Sequence, residues 1–413
     1  MTTTGPAAPP RPTTPTPVTR TPVTVLAGFH AHATTAVADR LLNAEPELLL
    51  VGHDLTALAD GVVRRRIRDS SGILEEGETR LTHGCGTCAI REDLVPVLMR
   101  LARDHPGRPL LVELPETVEP QSVAEACAHL HVDGTPAAEV IRVDSCTTVL
   151  DALSLRGDLS SVDDIARRRR TPVEDTRGVA EVVVRQIEYA DTVLLHGEAA
   201  GGAYETARLG VLARRLAPWA AHPEPSDDHG LAAAILRTGR HDPRRPPGPA
   251  RALAGLTLGV HAPFEDCGVI SMLFAARRPF HPERLHARLD EIAYSALRAR
   301  GHLWLATQPD TVVAFEAAGG GIAMASLGPW LDAVPVESRE AHSAVRRVAA
   351  ALDWDPYYGD RGNSLAFIGE GFDVDELRVR LEDCLLTDLE LAEGEDARRA
   401  WSDPFAGCFP SHP

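Results

Sequence analysis

Short apolar runs that alternate with helix-like segments are the feature that most constrains how this chain can fold. The strand-like runs before residue 220 are mostly Val, Leu and Ile, and they lie at residues 23–27, 48–52, 109–114, 140–144 and 192–195. Segments with apolar residues at helical spacing separate them, at residues 35–42, 94–102, 179–189 and 203–216. Strands that are apolar on both faces are typical of parallel sheets covered by helices. The alternation over residues 23–220 therefore predicts an α/β domain with a doubly wound, mostly parallel sheet.

The pattern changes after residue 220. Residues 221–255 are rich in Pro, Arg, Asp and His, and this composition predicts a linker that contains at most one or two helical turns. Strand-like runs return in residues 256–391, where we expect a helix over 282–298 and then a strand over 303–306. This part of the chain is predicted to be a smaller α+β domain with an antiparallel sheet.

Composition limits the possible functions. The formal net charge is −17, which argues against direct binding to nucleic acid or to a membrane surface, because phosphate contacts need basic side chains. No apolar run approaches the roughly 18 residues of a membrane-spanning helix. The leader at 1–22 is rich in Pro and Thr and lacks the apolar centre of a signal peptide, so we expect it to be disordered and the protein to be cytoplasmic. Residues 392–413 are expected to be a tail. All 42 Lys and Arg residues are arginine, which excludes any mechanism that needs a lysine ammonium.

The cysteines point to a metal or redox function rather than to disulfides. The chain has 7 cysteines, an odd number, and they are widely spaced apart from one pair. That pair, Cys85 and Cys88, has the Cys-x-x-Cys spacing of zinc half-sites and also of redox dithiols.

Several motifs, in order, resemble the CobW family of P-loop GTPases, which is associated with the delivery of cobalt, of zinc and of the metal of nitrile hydratase. In the first half they are VTVLAGF, RLLN and GCGTCAIREDL, at residues 23–29, 40–43 and 84–94. In the second half they are RRPFHPERL, GHLWLAT and CLLTD, at residues 277–285, 301–307 and 384–388. The resemblance implies a P-loop NTPase-like domain followed by a CobW C-terminal domain, with GTP, Mg²⁺ and a transition metal as the ligands of the family.

The phosphate loop departs from the family pattern Gly-x-x-x-x-Gly-Lys-Thr-Thr. Residues 28–36 read GFHAHATTA, so the second glycine is Ala33 and the lysine is Thr34. Glycines let backbone N–H groups converge on the phosphates, and the lysine offsets their charge. The resemblance leaves Gly28, Thr34 and Thr35 as the positions for a bound nucleotide, with the Thr35 hydroxyl available to Mg²⁺.

Two further nucleotide motifs are altered. The guanine-recognition motif Asn-Lys-x-Asp is replaced by HGEA at 196–199, which lacks the aspartate. The Glu-x-x-Gly after the third strand is replaced by a segment that runs from Glu113 to Glu116. Because three parts of the nucleotide site are changed together, we expect no efficient GTP hydrolysis.

The metal segment keeps two of the three cysteines of the family. Cys85 and Cys88 supply two thiolates, which are ligands that favour zinc, and a tetrahedral site needs two more. His83 precedes the pair, and His30 and His32 stand in the altered phosphate loop at i and i+2. If that loop is extended, both imidazoles point to the same side. We therefore hypothesise a zinc site built from these five residues. The alternatives are that the histidines are simply exposed and that the cysteines are retained from the family or form a redox pair.

Three functions follow from this reading. The first is a zinc-binding accessory or chaperone-like protein that gives metal to, or withholds it from, a client protein. The second is a non-enzymatic adaptor that binds a zinc-dependent protein or a ribosome-associated factor, in zinc-limited translation or in ribosome maintenance. The third is a slow GTPase that binds nucleotide through its backbone alone.

Overall fold

The computed structural model describes residues 20–169, 175–246, 248–260 and 265–409. The predicted leader lies outside this range except for its last three residues, as do residues 410–413 of the predicted tail. Among the described residues no helix is long and apolar enough to cross a membrane.

The elements up to residue 235 include the alternating strands and helices that the sequence predicts, together with further short elements and a hairpin that it does not. They are β1 Thr21–Ala27, α1 Ala31–Ala44, β2 Leu49–Asp54, β3 Val62–Asp69, β4 Gly72–Arg80, α2 Gly86–Ala89, α3 Val95–Asp104, β5 Leu110–Glu113, α4 Pro120–His129, β6 His131–Val132, β7 Thr135–Pro136, α5 Ala137–Val140, β8 Ile141–Asp151, α6 Leu155–Leu159, α7 Ile165–Arg169, α8 Val179–Tyr189, β9 Thr192–His196, α9 Ala203–Leu216 and α10 Asp228–Ile235. A π-helical turn, Ile90–Leu94, joins α2 to α3.

The second group of elements is mostly strands. They are β10 Glu265–Asp266, β11 Val269–Ala276, α11 Pro282–Ala293, β12 Arg298–Leu303, β13 Thr311–Ala318, β14 Gly321–Pro329, α12 Ala344–Leu352, β15 Asn363–Glu370, α13 Val374–Asp383, α14 Asp388–Ala392 and α15 Glu395–Arg399.

The first sheet has seven strands in the order β4-β3-β2-β5-β1-β8-β9. The five strands from β2 to β9 in this order pair in parallel, and β3 and β4 extend the sheet as an antiparallel hairpin. The prediction of a doubly wound, mostly parallel sheet is confirmed. The hairpin was not predicted, because its strands carry charged rather than apolar residues. Arg64 and Arg66 pair with Glu78 and Glu76 on the neighbouring strand, and such cross-strand pairs stabilise an edge that has little apolar surface.

Helices bury both faces of this sheet. Strand residues such as Val25 and Val112 pack with α3 and α4 on one face. On the other face, α1 packs together with α10, whose Leu231 and Ile235 are buried in the same cluster as Leu26. The segment expected to be a linker therefore does more than connect two domains, because its helix completes the covering of the first sheet.

The second sheet has six strands in the order β10-β11-β15-β12-β13-β14, and all its pairings are antiparallel. This confirms the predicted smaller α+β domain. The local prediction around residue 300 was wrong, since α11 ends at Ala293 and the following strand already begins at Arg298. The arginines of this strand obscured its pattern. The expected tail also contributes to this domain, because Phe405 and Phe409 are buried in its core.

Candidate metal and nucleotide site

The altered phosphate loop is shorter than the family pattern implies, because α1 already begins at Ala31. The carbonyl oxygen of His30 accepts hydrogen bonds from the N–H groups of Ala33 and Thr34, at 3.0 and 3.2 Å. Alanine has the highest helix propensity, whereas the glycine it replaces would disfavour a helix. The extended loop on which the shared direction of His30 and His32 depended is therefore not formed, because the helix already includes His32.

Both histidines of this segment face carboxylates rather than cysteines. His30 Nε2 lies 2.7 Å from Asp158 Oδ2, and His32 Nε2 lies 3.5 Å from Asp151 Oδ1. The Asp158 side chain is 2% exposed and also pairs with Arg168. Burial raises the pKa of Asp151, but the Ser154 hydroxyl and the two imidazoles outweigh it, so the pKa is lowered and the carboxylate is charged at neutral pH. Two carboxylates therefore lie beside the N-terminus of α1, where a phosphate would have to bind.

Gly28, Thr34 and Thr35 have packing and hydrogen-bonding roles in the structure. A Cβ atom on Gly28 would lie 2.6 Å from the Val149 carbonyl oxygen and 2.7 Å from Thr34 Cγ2, so only glycine fits. Thr34 Oγ1 donates to the carbonyl oxygen of Ala31, at 3.0 Å. Thr34 is 1% exposed and carries no charge where the family has lysine.

One pair of groups suited to Mg²⁺ remains. Thr35 Oγ1 donates a hydrogen bond to Glu113 Oε1 at 2.6 Å, and a hydroxyl beside a carboxylate is a donor set that Mg²⁺ accepts. The phosphate side does not fit a triphosphate equally well, because the lysine is missing and Asp151 and Asp158 are close to the helix N-terminus. These residues fit the metal of a nucleotide complex better than the nucleotide itself.

The guanine-recognition position has Ala199 where the family has an aspartate. The turn after β9 passes through Gly197, whose φ is +78°, and leaves Glu198 exposed. The buried residue Ala199 donates its N–H to the hydroxyl of Thr206 at 2.9 Å. This turn therefore packs against α9.

The cysteine segment contains four donor side chains that interact with one another in pairs. Cys85 caps α2, since its sulfur accepts the N–H of Cys88 at 3.4 Å. The Cys88 sulfur lies 3.8 Å from Nδ1 of His83. Hydrogen bonding with Cys85 raises the pKa of the Cys88 thiol, and the Glu92 carboxylate also interacts with this thiol. The backbone N–H of Thr82 donates to Glu92 Oε2 at 2.8 Å and holds the pKa of that carboxyl below its usual value.

Glu92 was missed by the sequence reading, although a signal for it exists. It follows Cys88 by four residues within the helical run formed by α2 and the π-helical turn, and side chains at i and i+4 of a helix share a face. A π-helical turn often marks a functional site. This turn also contains the buried Asp93, whose carboxylate lies 2.7 Å from His53 Nε2 and accepts a hydrogen bond from Thr79 Oγ1 at 2.5 Å. The second contact connects the cysteine segment to the hairpin.

A cavity of about 1330 Å³ joins the two parts of the site. Cys85, Thr35 and Glu113 all line it, together with arginines of β3. The cysteine segment therefore opens onto the place where the nucleotide metal would lie.

The five residues hypothesised as a zinc site are not brought together as one ligand group. Among the described residues, the one group of three or more His, Cys, Asp or Glu whose ligand atoms lie within 4.8 Å of one another is Cys146, Asp191 and His241. His83, Cys85 and Cys88 are close only in pairs. Cys85 is exposed and Cys88 is half-buried.

Comparisons with known proteins agree with this architecture. Residues 57–199 match the CobW/HypB/UreG nucleotide-binding domain, and residues 269–385 match the cobalamin synthesis protein cobW C-terminal domain. The first match starts beyond the altered phosphate loop.

Two relatives and one solved structure illustrate the similarity. The zinc chaperone Rv0106 of Mycobacterium tuberculosis is 35% identical over 87% of this chain and 92% of its own length. The zinc-regulated GTPase metalloprotein activator 1 of Dictyostelium discoideum is 25% identical over 92% of this chain and 83% of its own length. The crystal structure of the Zn(II)-bound YjiA GTPase from E. coli superposes with a TM-score of 0.36 at 14% identity, covering 89% of this chain and 99% of that one. The two domain matches and the 35% identity over nearly the whole length show that this chain belongs to the CobW family.

Proposed function

We propose that this protein handles zinc, binding Zn²⁺ through His83, Cys85, Cys88 and Glu92 and passing it to a client protein, without efficient GTP hydrolysis. The observation that carries the proposal is that two thiols, an imidazole and a carboxylate interact in pairs within one short segment, whose Cys85 lines the cavity. Four donors of this kind match the number and type that zinc takes in proteins.

The position of the segment suits cargo rather than a permanent structural ion. Cys85 is exposed, so the ligands of a partner can reach the metal and replace the thiolates one at a time. Thiolate and imidazole ligands select zinc over magnesium or calcium, which prefer oxygen. The names of two relatives, a zinc chaperone and a zinc-regulated metalloprotein activator, support zinc as the metal and a metalloprotein as the client.

The altered phosphate loop supports the absence of efficient hydrolysis. Phosphoryl transfer needs positively charged groups next to the transferred phosphate. This chain has Thr34 in place of the lysine, and two carboxylates lie nearby. The Thr35–Glu113 pair remains, so weak magnesium or nucleotide binding is compatible with the proposal.

Zinc competition against a chromophoric chelator tests the proposal, with GTP titrated in parallel. The Cys85→Ser/Cys88→Ser variant should lose one equivalent of tightly bound zinc relative to the native chain. Cys408→Ser is the matched control, since it removes another exposed thiol far along the chain and should leave zinc binding unchanged. Equal zinc stoichiometry and affinity in the native chain and the double variant would overturn the zinc site, and rapid GTP turnover would overturn the loss of hydrolysis.

A further inference from the structure

A second group of ligand-type side chains lies away from the cavity. Cys146 is in β8, Asp191 directly precedes β9, and His241 lies in the segment after α10. Cys146 and Asp191 are fully buried, and the His241 side chain is 6% exposed. Thr35 and Glu113 lie at or beyond the carboxyl ends of β1 and β5, whereas Asp191 stands at the amino end of a parallel strand. The Thr35–Glu113 pair and Asp191 therefore lie at opposite ends of the parallel strands.

Both short contacts of the histidine converge on one nitrogen atom. His241 Nδ1 lies 3.2 Å from Asp191 Oδ2 and 3.9 Å from Cys146 Sγ. A catalytic relay from Asp through His to Cys would use the two different ring nitrogens. Here three lone-pair donors instead surround one point, with all their ligand atoms within 4.8 Å of one another.

The spacing matches a tetrahedral metal site. Bonds of about 2.0 Å to nitrogen or oxygen and about 2.3 Å to sulfur place neighbouring ligand atoms roughly 3.3 to 3.6 Å apart. The distances of 3.2 and 3.9 Å are within a few tenths of an ångström of these values. A metal ion therefore fits after only small shifts of the three side chains.

The groups around the three donors hold them in place. The N–H of Cys146 donates to Asp191 Oδ2 at 2.8 Å, and Arg245 Nη2 lies 2.7 Å from Oδ1 of the same carboxylate. The backbone N–H of His241 donates to the Asp144 carbonyl oxygen at 3.1 Å. Outer partners of this kind orient ligating carboxylates and imidazoles in metal sites.

We infer that Cys146, Asp191 and His241 form a second, buried site for a soft divalent cation of the Zn²⁺ class. The ion fastens the segment that follows α10 to strands β8 and β9. Because the ligands are buried, metal bound here exchanges slowly and is structural rather than cargo. This site is independent of the cysteine segment proposed above to carry the zinc for delivery.

Cobalt substitution tests this site in the full chain. The Cys85→Ser/Cys88→Ser variant, which leaves the buried group intact, is titrated with Co²⁺ and examined for thiolate-to-cobalt charge-transfer absorption. We expect one equivalent of Co²⁺ with this absorption. Adding Cys146→Ser should abolish the absorption, and adding His241→Gln should weaken metal binding at least about tenfold. Adding Cys384→Ser, which removes a buried thiol in the second domain, is the matched control and should change neither.

The outcomes separate this inference from the proposed function. A natively folded Cys85→Ser/Cys88→Ser protein that holds no metal overturns the buried site and leaves the cysteine segment as the only zinc site. Charge-transfer absorption that survives Cys146→Ser also overturns it. If Cys146→Ser does not fold, the His241→Gln variant decides, because undiminished metal binding there contradicts the inference. The proposed function instead fails when the native chain and the double-serine variant hold the same amount of zinc.

Discussion

Arg298 of β12 donates from Nε to Glu188 Oε1 of α8 across 2.6 Å, and this pair joins a helix of the first domain to the sheet of the second. Arg300 Nη1 lies 2.6 Å from the same oxygen. The three side chains are between 0% and 7% exposed, so their charges are stabilised by one another and not by hydration. Apolar residues of the two domains, among them Val183 and Ile368, pack in one cluster.

Replacing the carboxylate should strongly destabilise the protein. Glu188→Gln removes the carboxylate that lies between two buried guanidinium groups and leaves Glu316 as the anion beside Arg298. Breaking a buried ion pair in this way costs about 3–5 kcal/mol. The measurement is the free energy of unfolding in urea. Glu224→Gln is the control, because Glu224 is 83% exposed beside Arg214 and its loss should change stability by less than about 0.5 kcal/mol. A similar small effect for Glu188→Gln would contradict the importance of the cluster.

The same substitution should change how stability depends on pH. Burial raises the pKa of Glu188, but Arg298 and Arg300 together outweigh it, so the pKa lies below its usual value. A lowered carboxyl pKa contributes stability above the unfolded value of about 4.3, and this contribution is lost as the pH falls through the folded value. The difference in unfolding free energy between native and Glu188→Gln proteins should therefore shrink below about pH 4. If this difference in unfolding free energy stays constant until the protein unfolds in acid, the lowered pKa of Glu188 is contradicted.

Glu92→Gln should weaken zinc binding at the cysteine segment. A neutral amide is a poorer zinc ligand than a carboxylate, and we expect a loss of about 10- to 100-fold in affinity. His32→Ala is the control for the original five-residue hypothesis. His32 is 65% exposed and faces Asp151, so its removal should leave zinc affinity unchanged. Competition with a chelator measures the zinc affinity of both variants. A large loss of affinity in His32→Ala would show that the phosphate-loop histidines contribute to zinc binding.

Zinc affinity at this segment should rise with pH. The pKa of Cys88 is raised, chiefly by its hydrogen bond with Cys85, so more thiol is protonated at neutral pH and zinc must displace the proton. Affinity measured at increasing pH should therefore continue to rise above neutrality. In Cys88→Ser the rise should be smaller, and an unchanged slope would show that Cys88 does not bind the metal.

Gly28→Ala should destabilise the fold even without nucleotide. The new methyl group would approach the Val149 carbonyl oxygen to 2.6 Å, and overpacking of this kind costs about 1–3 kcal/mol. Gly157→Ala in α6 is the matched control, because nothing lies within 4 Å of its Cβ position. Alanine is also the better helix former, so the control should be neutral or slightly stabilising. Thermal unfolding of the two variants measures the contrast, and equal midpoints would contradict the packing role of Gly28.

Leu231→Ala tests whether residues 221–255 belong to the folded core. Leu231 is 1% exposed, and truncating a buried leucine costs about 2–5 kcal/mol. Leu389→Ala, at a leucine that is 83% exposed, should have little effect. If both variants unfold at the same urea concentration as the native chain, the segment acts as a simple linker after all.

Only some of the candidate zinc ligands could be predicted from the sequence. Cys85, Cys88 and His83 are neighbours in the chain, so their spacing alone predicted that they could share an ion. Glu92 joins them because a helix places residues four apart on one face. His30 and His32 were hypothesised to share this ion on the condition that their loop is extended. With a helix that begins at Ala31, they face Asp158 and Asp151 instead.

The sequence by itself determined the parallel sheet, the second antiparallel sheet and the loss of the phosphate-binding lysine. Those features depend on local apolar periodicity and on residue identity, which are visible along the chain. Tertiary structure alone decided the buried clusters. Cys146, Asp191 and His241 meet across 95 residues of sequence, and Glu188 meets Arg298 across 110. No local pattern reports such contacts, because charged or polar side chains are buried only where distant parts of the fold bring their partners to them.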